Sequence, residues 1–296
     1  MKSGPENWSL AILAPTKQMT RTICDVFSEP MGKLPAIGHT AAVDVSGIML
    51  AAELVAFALE PISPERDTRF IELLASFFRG KNGDKPSKSD LDTANALEAA
   101  MEKHLTKLTA GKTPSKVSVA AKALQVLHQL DVTPRTGNTR GDWITFRTAF
   151  TDGPSKQLQK VADEVRNLRL LNRGSDLRDS LGDIWRTHGG YVGALEAVRR
   201  AFVKDHFASA AAPESGVIVM NMHKSKGKQF DEVIVFEGWP AVSKGKIVAN
   251  TNRIAWGNNS DSDNQQARLT LRVAVTRAKT RTTLMTPEND PCVLLL

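Results

Sequence analysis

The sequence predicts an α/β fold, a parallel-sheet domain interrupted by a large all-helical insertion. Three observations predict it. Residues 217–220 and 233–236 are apolar runs rich in β-branched side chains, with no polar alternation, as in strands buried on both faces. A short apolar run at 8–14 opens the chain and leads into a helical pattern. From 67 to 207 almost every segment has helical periodicity and few β-branched runs. This α/β, helical, α/β order sets the expected domains. The sheet domain takes 1–64 and 209–296, and the helical insertion takes 65–208.

In chain order, 8–14 reads as a buried strand that Pro15 ends, and 17–27 as a helix with Met19, Ile23, Val26 and Phe27 on one face. Residues 35–37 are a candidate second strand, and 46–59 a helix closed by Glu60-Pro61. The helical stretch divides into 67–79, 88–108, 115–130, 142–150, 155–171, 175–185 and 190–208, with Gly- and Pro-bearing breaks between several of them. No fixed-period repeat is present, which argues against a solenoid. A small-residue linker, 210–215, leads back to strand-like sequence. Residues 240–264 read as mostly loop, with 254–256 as a short strand. An amphipathic helix at 265–276 and a strand at 281–286 close the pattern.

The 296 residues allow one large domain or two ordinary ones, and the formal charge of +7 favours polyanionic partners, nucleic acid first. With one Tyr and five Trp there is no aromatic-rich stacking platform. The two cysteines, Cys24 and Cys292, fit neither a metal spacing nor a disulfide framework, so the expected setting is reducing and cytoplasmic. No apolar leader is visible, and the longest apolar stretch, 48–59, contains Glu53 and is too short to span a bilayer.

The informative stretch is 217–237, VIVMNMHKSKGKQFDEVIVFE. Between its two apolar runs lies a loop with His223, Lys224, Lys226, Gly227, Lys228 and Gln229. A loop at the carboxyl end of a parallel strand is where open α/β sheets place ligands. Its charge favours an anion, and Gly227 permits positive φ or close backbone approach. The plainer reading is a basic surface loop between core strands. The second stretch is 268–279, RLTLRVAVTRAK.

Together the two stretches resemble motifs V and VI of the UvrD/Rep-like superfamily 1 DNA helicases. The first reads roughly T-x-H-x-x-K-G-x-E-F-D in that family and N-M-H-K-S-K-G-K-Q-F-D here. The second reads roughly R-L-x-Y-V-A-x-T-R-A-K, with Arg272 here in place of Tyr. The resemblance implies a RecA-like (P-loop NTPase-type) motor domain called 2A, with the helical domain 2B inserted. It is specific in 217–296, faint in 8–62, and rests on placement and helicity in between.

The resemblance also implies roles. Arg277 becomes the arginine that reaches the γ-phosphate of ATP across a cleft, where a planar, permanently charged guanidinium stabilises a transferred phosphoryl group. The alternative is a cation capping the preceding helix. Gly227 and Gln229 fall where the family has its nucleotide-contacting Gly and Glu; Gln229 keeps an acceptor oxygen without the charge, which puts tight ribose recognition in doubt. Asn221 and His223 sit where the family's Thr and His contact phosphates of single-stranded DNA, and Lys224 and Lys226 add positive charge beside them. Lys279 is open to the same two readings, phosphate contact or solvated charge.

ATP with Mg²⁺ would be shared with an N-terminal RecA-like motor domain. Residues 110–113, AGKT, end like a Walker A, but Thr106 stands where the pattern needs Gly and the segment follows a helical stretch. Asp44 is the nearest Walker B candidate and has no support. No His/Cys/carboxylate cluster has metal-ligand spacing. The expected function is therefore the C-terminal half of an ATP-dependent DNA helicase or translocase, moving 3′ to 5′ as the family does and inactive in hydrolysis by itself. The alternatives are a non-hydrolysing DNA-binding or regulatory module that keeps this fold, and a basic helical interaction protein.

Overall fold

The computed structural model describes residues 8–42, 45–83, 86–170, 174–211, 215–248, 250, 252–255, 261–292 and 294. The chain divides into two units, Met1–Val43 with Ala212–Leu296, and Asp44–Ala211. Asp44, residues 212–214 of the small-residue linker, and Trp256 lie outside the described residues.

The first unit opens with β1 (Ser9–Ala14), α1 (Lys17–Ser28) and β2 (Thr40–Ala42). Thr16 starts α1 by accepting from the Met19 amide at 3.2 Å. The expected strand at 35–37 does not pair in the sheet; ladder pairing begins at Thr40. Pro35 has no amide hydrogen to donate to a ladder.

The second unit is helical: α2 (Val45–Leu59), α3 (Arg66–Gly80), α4 (Lys88–Thr109), α5 (Val119–Asp131), α6 (Thr139–Asp152), α7 (Lys156–Val165), α8 (Gly174–His188) and α9 (Ala194–Ala211). A 3-10 turn, Arg166–Leu170, follows α7. Side-chain oxygens of Ser87, Ser118, Asn138 and Ser155 accept amide hydrogens at the starts of α4 to α7, so short polar residues set these boundaries. Helix α2 is buried from Ala51 to Leu59 and supplies the centre of this core with Phe70, Phe77, Phe146 and Phe150. A helix apolar on all sides belongs inside, not on a sheet's flank. The N-terminal share of the sheet unit therefore ends at residue 43 rather than 64. Glu53, within α2, is buried but accepts from Arg199 Nη2 at 2.9 Å.

The chain then returns to the first unit through β3 (Gly216–Asn221), a 3-10 turn (Met222–Ser225), β4 (Phe230–Phe236), β5 (Ala241–Ser243), β6 (Lys246–Val248), α10 (Asp261–Val275) and β7 (Ala278–Met285). The five-stranded sheet has order β2-β3-β1-β4-β7, and all four pairings are parallel. Leu10 pairs with Val217 and Leu13 with Met220, so strands more than two hundred residues apart form its centre. The fold of this unit is mixed α/β. Ala11, Leu13, Met220, Phe230, Val233 and Val235 form one buried cluster with Ala267 and Ala274 of α10.

Two expectations for 240–264 change. Strands β5 and β6 pair as a hairpin, with Lys244 at φ 50° and Gly245 at φ 74° supplying the two positive φ values a tight hairpin turn needs. Residues 253–255 form a bend rather than a strand, with Ile254 and Ala255 buried in the sheet unit's core. Among the described residues no helix is long and apolar enough to cross a membrane.

Candidate functional site

The loop 222–229 is a crossover. Strand β1 lies between β3 and β4 in the sheet. Asn221, at the end of β3, pairs with Ala14 at the end of β1. Asp231, at the start of β4, is hydrogen-bonded to Ser9 at the start of β1. The segment begins at the carboxyl edge of the sheet and ends at the amino edge, about 16–20 Å away at ~3.3 Å per strand residue. The sequence places this loop at the carboxyl end of a parallel strand, and its first residues are there. Asn221 and His223 therefore stand at one edge, and Gln229 at the other.

Each end of the crossover has its own anchors. Asn221 Oδ1 accepts from the Lys224 amide at 3.0 Å, capping the 3-10 turn and leaving the NH₂ group as what Asn221 can offer a phosphate oxygen. Met222 is buried, and the buried Ser225 hydroxyl donates to the Met222 carbonyl at 2.7 Å. These plugs hold His223, Lys224 and Lys226 exposed. Gly227 has φ +82°, and a Cβ there would meet nothing within 4 Å. The glycine is required by backbone conformation, not by crowding. Gln229 is exposed beyond it.

Helix α10 delivers Arg277. Its Nε donates to the Val273 carbonyl at 3.0 Å, its Nη1 to the Lys228 carbonyl at 3.2 Å, and its Nη2 to Thr276 Oγ1 at 3.1 Å. The Phe230 amide donates to the Arg277 carbonyl at 2.9 Å. Both the capping role and contact with the loop are thus present in one side chain. The remaining end carbonyls of α10 are also met. Thr276 Oγ1 donates to Arg272, the Arg277 amide to Ala274 at 3.2 Å, and Thr282 Oγ1 to Val275 at 2.9 Å. Arg268 and Arg272 are exposed, while Ala267 and Ala274 are buried.

At the amino edge, Asp231 Oδ2 accepts from the Ser9 amide at 2.8 Å and the Ser9 hydroxyl at 2.9 Å. The Asp231 amide donates back to Ser9 Oγ at 3.1 Å. The Ser9 amide, then the Ser9 hydroxyl, with a smaller contribution from Lys279, hold the Asp231 carboxyl below its ordinary range. Lys279 approaches Asp231 Oδ1 at 3.5 Å, so it serves the strand edge.

The structure brings Arg277 onto the Lys228 carbonyl, between Gly227 and Gln229, and places Asn221 at the opposite end of the crossover; the His223 carbonyl accepts from the Lys226 amide at 3.3 Å within the intervening turn. It adds partners that the sequence did not reveal. Ser9 lies 222 residues from Asp231, and Thr276 was read only as part of a motif. A second unforeseen feature is a buried fork-to-fork pair beyond the end of β4. Arg253 Nε donates to Glu237 Oε1 at 2.9 Å, and Arg253 also pairs with Asp290. Burial pushes the guanidinium's pKa down, but the Glu237 bond and the two carboxylate charges outweigh it and leave it raised. The AGKT segment is a helix terminator: Gly111 has φ +66°, its amide donates to Leu108 at 3.0 Å, and the Lys112 amide donates to Lys107 at 2.8 Å. Among the described residues no group of three His, Cys, Asp or Glu side chains is placed to hold a metal. No family model matches the chain, and no curated protein matches it.

Proposed function

We propose that the chain is the C-terminal half of an ATP-dependent DNA helicase or translocase of the UvrD/Rep-like kind, with a RecA-like 2A unit and a helical 2B-like insertion. The observation that carries this reading is the meeting of the two motif-like segments. Arg277, from the second, holds the Lys228 carbonyl of the first at 3.2 Å. Their residue types match only one half of a nucleotide site. Arg277 supplies a guanidinium for a γ-phosphate, and Gln229 an acceptor for a ribose hydroxyl. Gly227 supplies backbone with open space beside it. The phosphate-binding loop, and Mg²⁺ with it, fall to an N-terminal RecA-like motor domain as partner. The other edge, with Asn221, His223, Lys224 and Lys226, takes the single-stranded DNA backbone. The crossover then links the two sites through one covalent segment. Two free, buried cysteines accord with a reducing, cytoplasmic setting.

A second reading is a DNA-binding or regulatory module without hydrolysis. It is favoured by Gln229 in place of a carboxylate and by the three contacts that already occupy Arg277.

The test of the DNA site is photo-crosslinking of thymine-rich single strands to the purified chain at low salt, followed by peptide mapping. Crosslinks are expected within the peptides containing Asn221 to Lys226. Crosslinks confined to the helical unit overturn the assignment.

A further inference from the structure

Trp239 lies just past the end of β4, and nothing above gives it a role. Of the tryptophans among the described residues it alone is exposed, at 42%. The chain around it holds it in place. Gly238 has φ +122°, and a Cβ there would come within 2.9 Å of Arg253 Cγ and 3.0 Å of Met19 Cε. Arg253 is itself fixed by the buried Glu237 carboxylate. Asn250 Nδ2 donates to the Trp239 carbonyl at 2.8 Å. Pro240, next in sequence, confines Trp239 to extended backbone. The indole meets the Phe236 ring at 4.8 Å between centroids and 65° between planes. An exposed aromatic already held in position loses little freedom when a ligand settles on it.

Its place on the sheet is a second, independent observation. Met220, Leu13 and Val235 lie in one row across β3, β1 and β4. Asn221 and Phe236, each one residue further on, therefore close the same carboxyl edge, about 10 Å apart at ~4.8 Å per strand. Asn221 is still extended, at φ −78° and ψ 154°. Met220 and Val235 belong to the cluster with α10, so by alternation Asn221 and Phe236 both face away from it. Ring contact with Phe236 puts Trp239 beside that shared face. The β5–β6 hairpin follows directly, with Lys244 and Lys246 exposed at its tip.

We propose that Trp239 stacks on a base of the single-stranded DNA whose phosphates lie on Asn221 and His223, an inference that rests on the DNA site proposed above. Single strands are held without sequence preference by donors along the backbone and by aromatic faces under the bases. The carboxyl edge supplies both from one sheet: amide and imidazole donors beyond β3, and an indole beyond β4. Stacking on an indole is tolerant of base identity, because every base has a π-face. One such contact adds affinity without adding a sequence code.

The test is fluorescence anisotropy with the full chain and two labelled strands of equal length, one of thymidines and one of abasic units with the same phosphates. The thymidine strand is expected to bind about tenfold more tightly. Trp239→Ala should lose about tenfold on that strand, with the abasic strand and the salt dependence unchanged. Trp239→Phe should keep most of the affinity. Trp239→Leu, apolar but without a π-face, should lose as much as the Ala variant. Circular dichroism checks folding; should Trp239→Ala not fold, the Phe and Leu variants and the comparison of strands decide. Salt-dependent binding with equal affinity for the two strands overturns the stacking role and leaves the backbone site standing. Binding of neither strand removes both. Full affinity in Trp239→Leu, or an equal loss on both strands in Trp239→Ala, would make the residue a support for the edge and overturn the proposal.

Discussion

The guanidinium of Arg277 reaches the carbonyl of Lys228 at 3.2 Å, across 49 residues of sequence. The same side chain closes the end of α10 through Val273. Replacing it with Ala removes three hydrogen bonds, at about 0.5–1.5 kcal/mol for each. Arg277→Ala is therefore expected to lower stability by about 1.5–4.5 kcal/mol in urea unfolding. Arg277→Lys keeps the charge but cannot reach three acceptors from a single ammonium. It should recover only part of that loss. Full recovery by Lys would mean that charge alone, and not the fork, holds the loop.

Asp231 makes the sheet unit sensitive to acid. Its folded pKa is lowered by the Ser9 amide and hydroxyl, so its charged form is preferred in the native state. The stabilisation is fully present above the unfolded aspartate pKa of about 3.9 and is lost as pH falls through the lower folded value. Asp231→Asn should be less stable than the unmodified chain at neutral pH, and the two melting temperatures should converge as pH drops below about 4. Melting curves recorded between neutral and acidic pH check this. Parallel curves would show that Asp231 is not coupled to folding.

Glu237 and Arg253 are 3% and 7% exposed, and each is the other's bidentate partner. Removing one member of a buried pair leaves a charge without its counter-ion, at a typical cost of 3–5 kcal/mol, whereas replacing both by apolar residues is often neutral. Asp290 remains as a counter-ion to Arg253, so Glu237→Leu should lose up to about 3–5 kcal/mol, and Glu237→Leu/Arg253→Met should recover most of it in urea unfolding. A double variant no more stable than the single one would place the energy in Thr286 and Asp290, which also contact the pair.

The sheet's central strands were legible from their continuous apolar runs, although in β4 the half-buried Ile234 and Phe236 alternate with the buried Val233 and Val235. Leu10–Leu13, Val217–Met220 and Val233–Phe236 all lie in one sheet. The allegiance of α2 was not legible. Its sequence shows that it must be buried, but not against what, and only the packing of Phe70 and Phe146 around it decides. The hairpin around Lys244-Gly245 escaped because its turn lacks the Asn or Asp that usually marks two positive φ values. At the site, Gly227 and Arg277 carried local signals. Ser9, Glu237 and Arg253 carried none, since their partners are set by strand order and chain return rather than by spacing.

The chain by itself should not turn over ATP. Its one Walker-like segment is a helix end, with Gly111 and Lys112 hydrogen-bonded to the last turn of α4. A phosphate-binding loop instead needs amides directed at the ligand from the start of a helix. Phosphate release assays with and without single-stranded DNA should match a no-enzyme control. DNA-stimulated turnover that disappears in Arg277→Ala would place a complete catalytic site within this chain.

Single-stranded DNA should bind at the Asn221 edge through its backbone, with little base preference. Asn221, His223, Lys224 and Lys226 are donors on a 3-10 turn and its flanks, suited to phosphate oxygens rather than to base edges. Backbone binding releases counter-ions, so affinity should fall as salt rises. With two or three phosphates neutralised at roughly −0.7 per phosphate, the log–log slope should be about −1.4 to −2. Lys224→Ala/Lys226→Ala should flatten that slope by up to about 1.4, removing two of these contacts. Neither substitution touches the Asn221 cap, since the bond at 3.0 Å uses the Lys224 backbone amide. Loss of slope can therefore be read as loss of charge rather than collapse of the turn. Anisotropy titrations with short strands of differing sequence measure all of these quantities. A salt-independent Kd, strong sequence selectivity, or an unchanged slope in the double variant would each remove this loop from the DNA track.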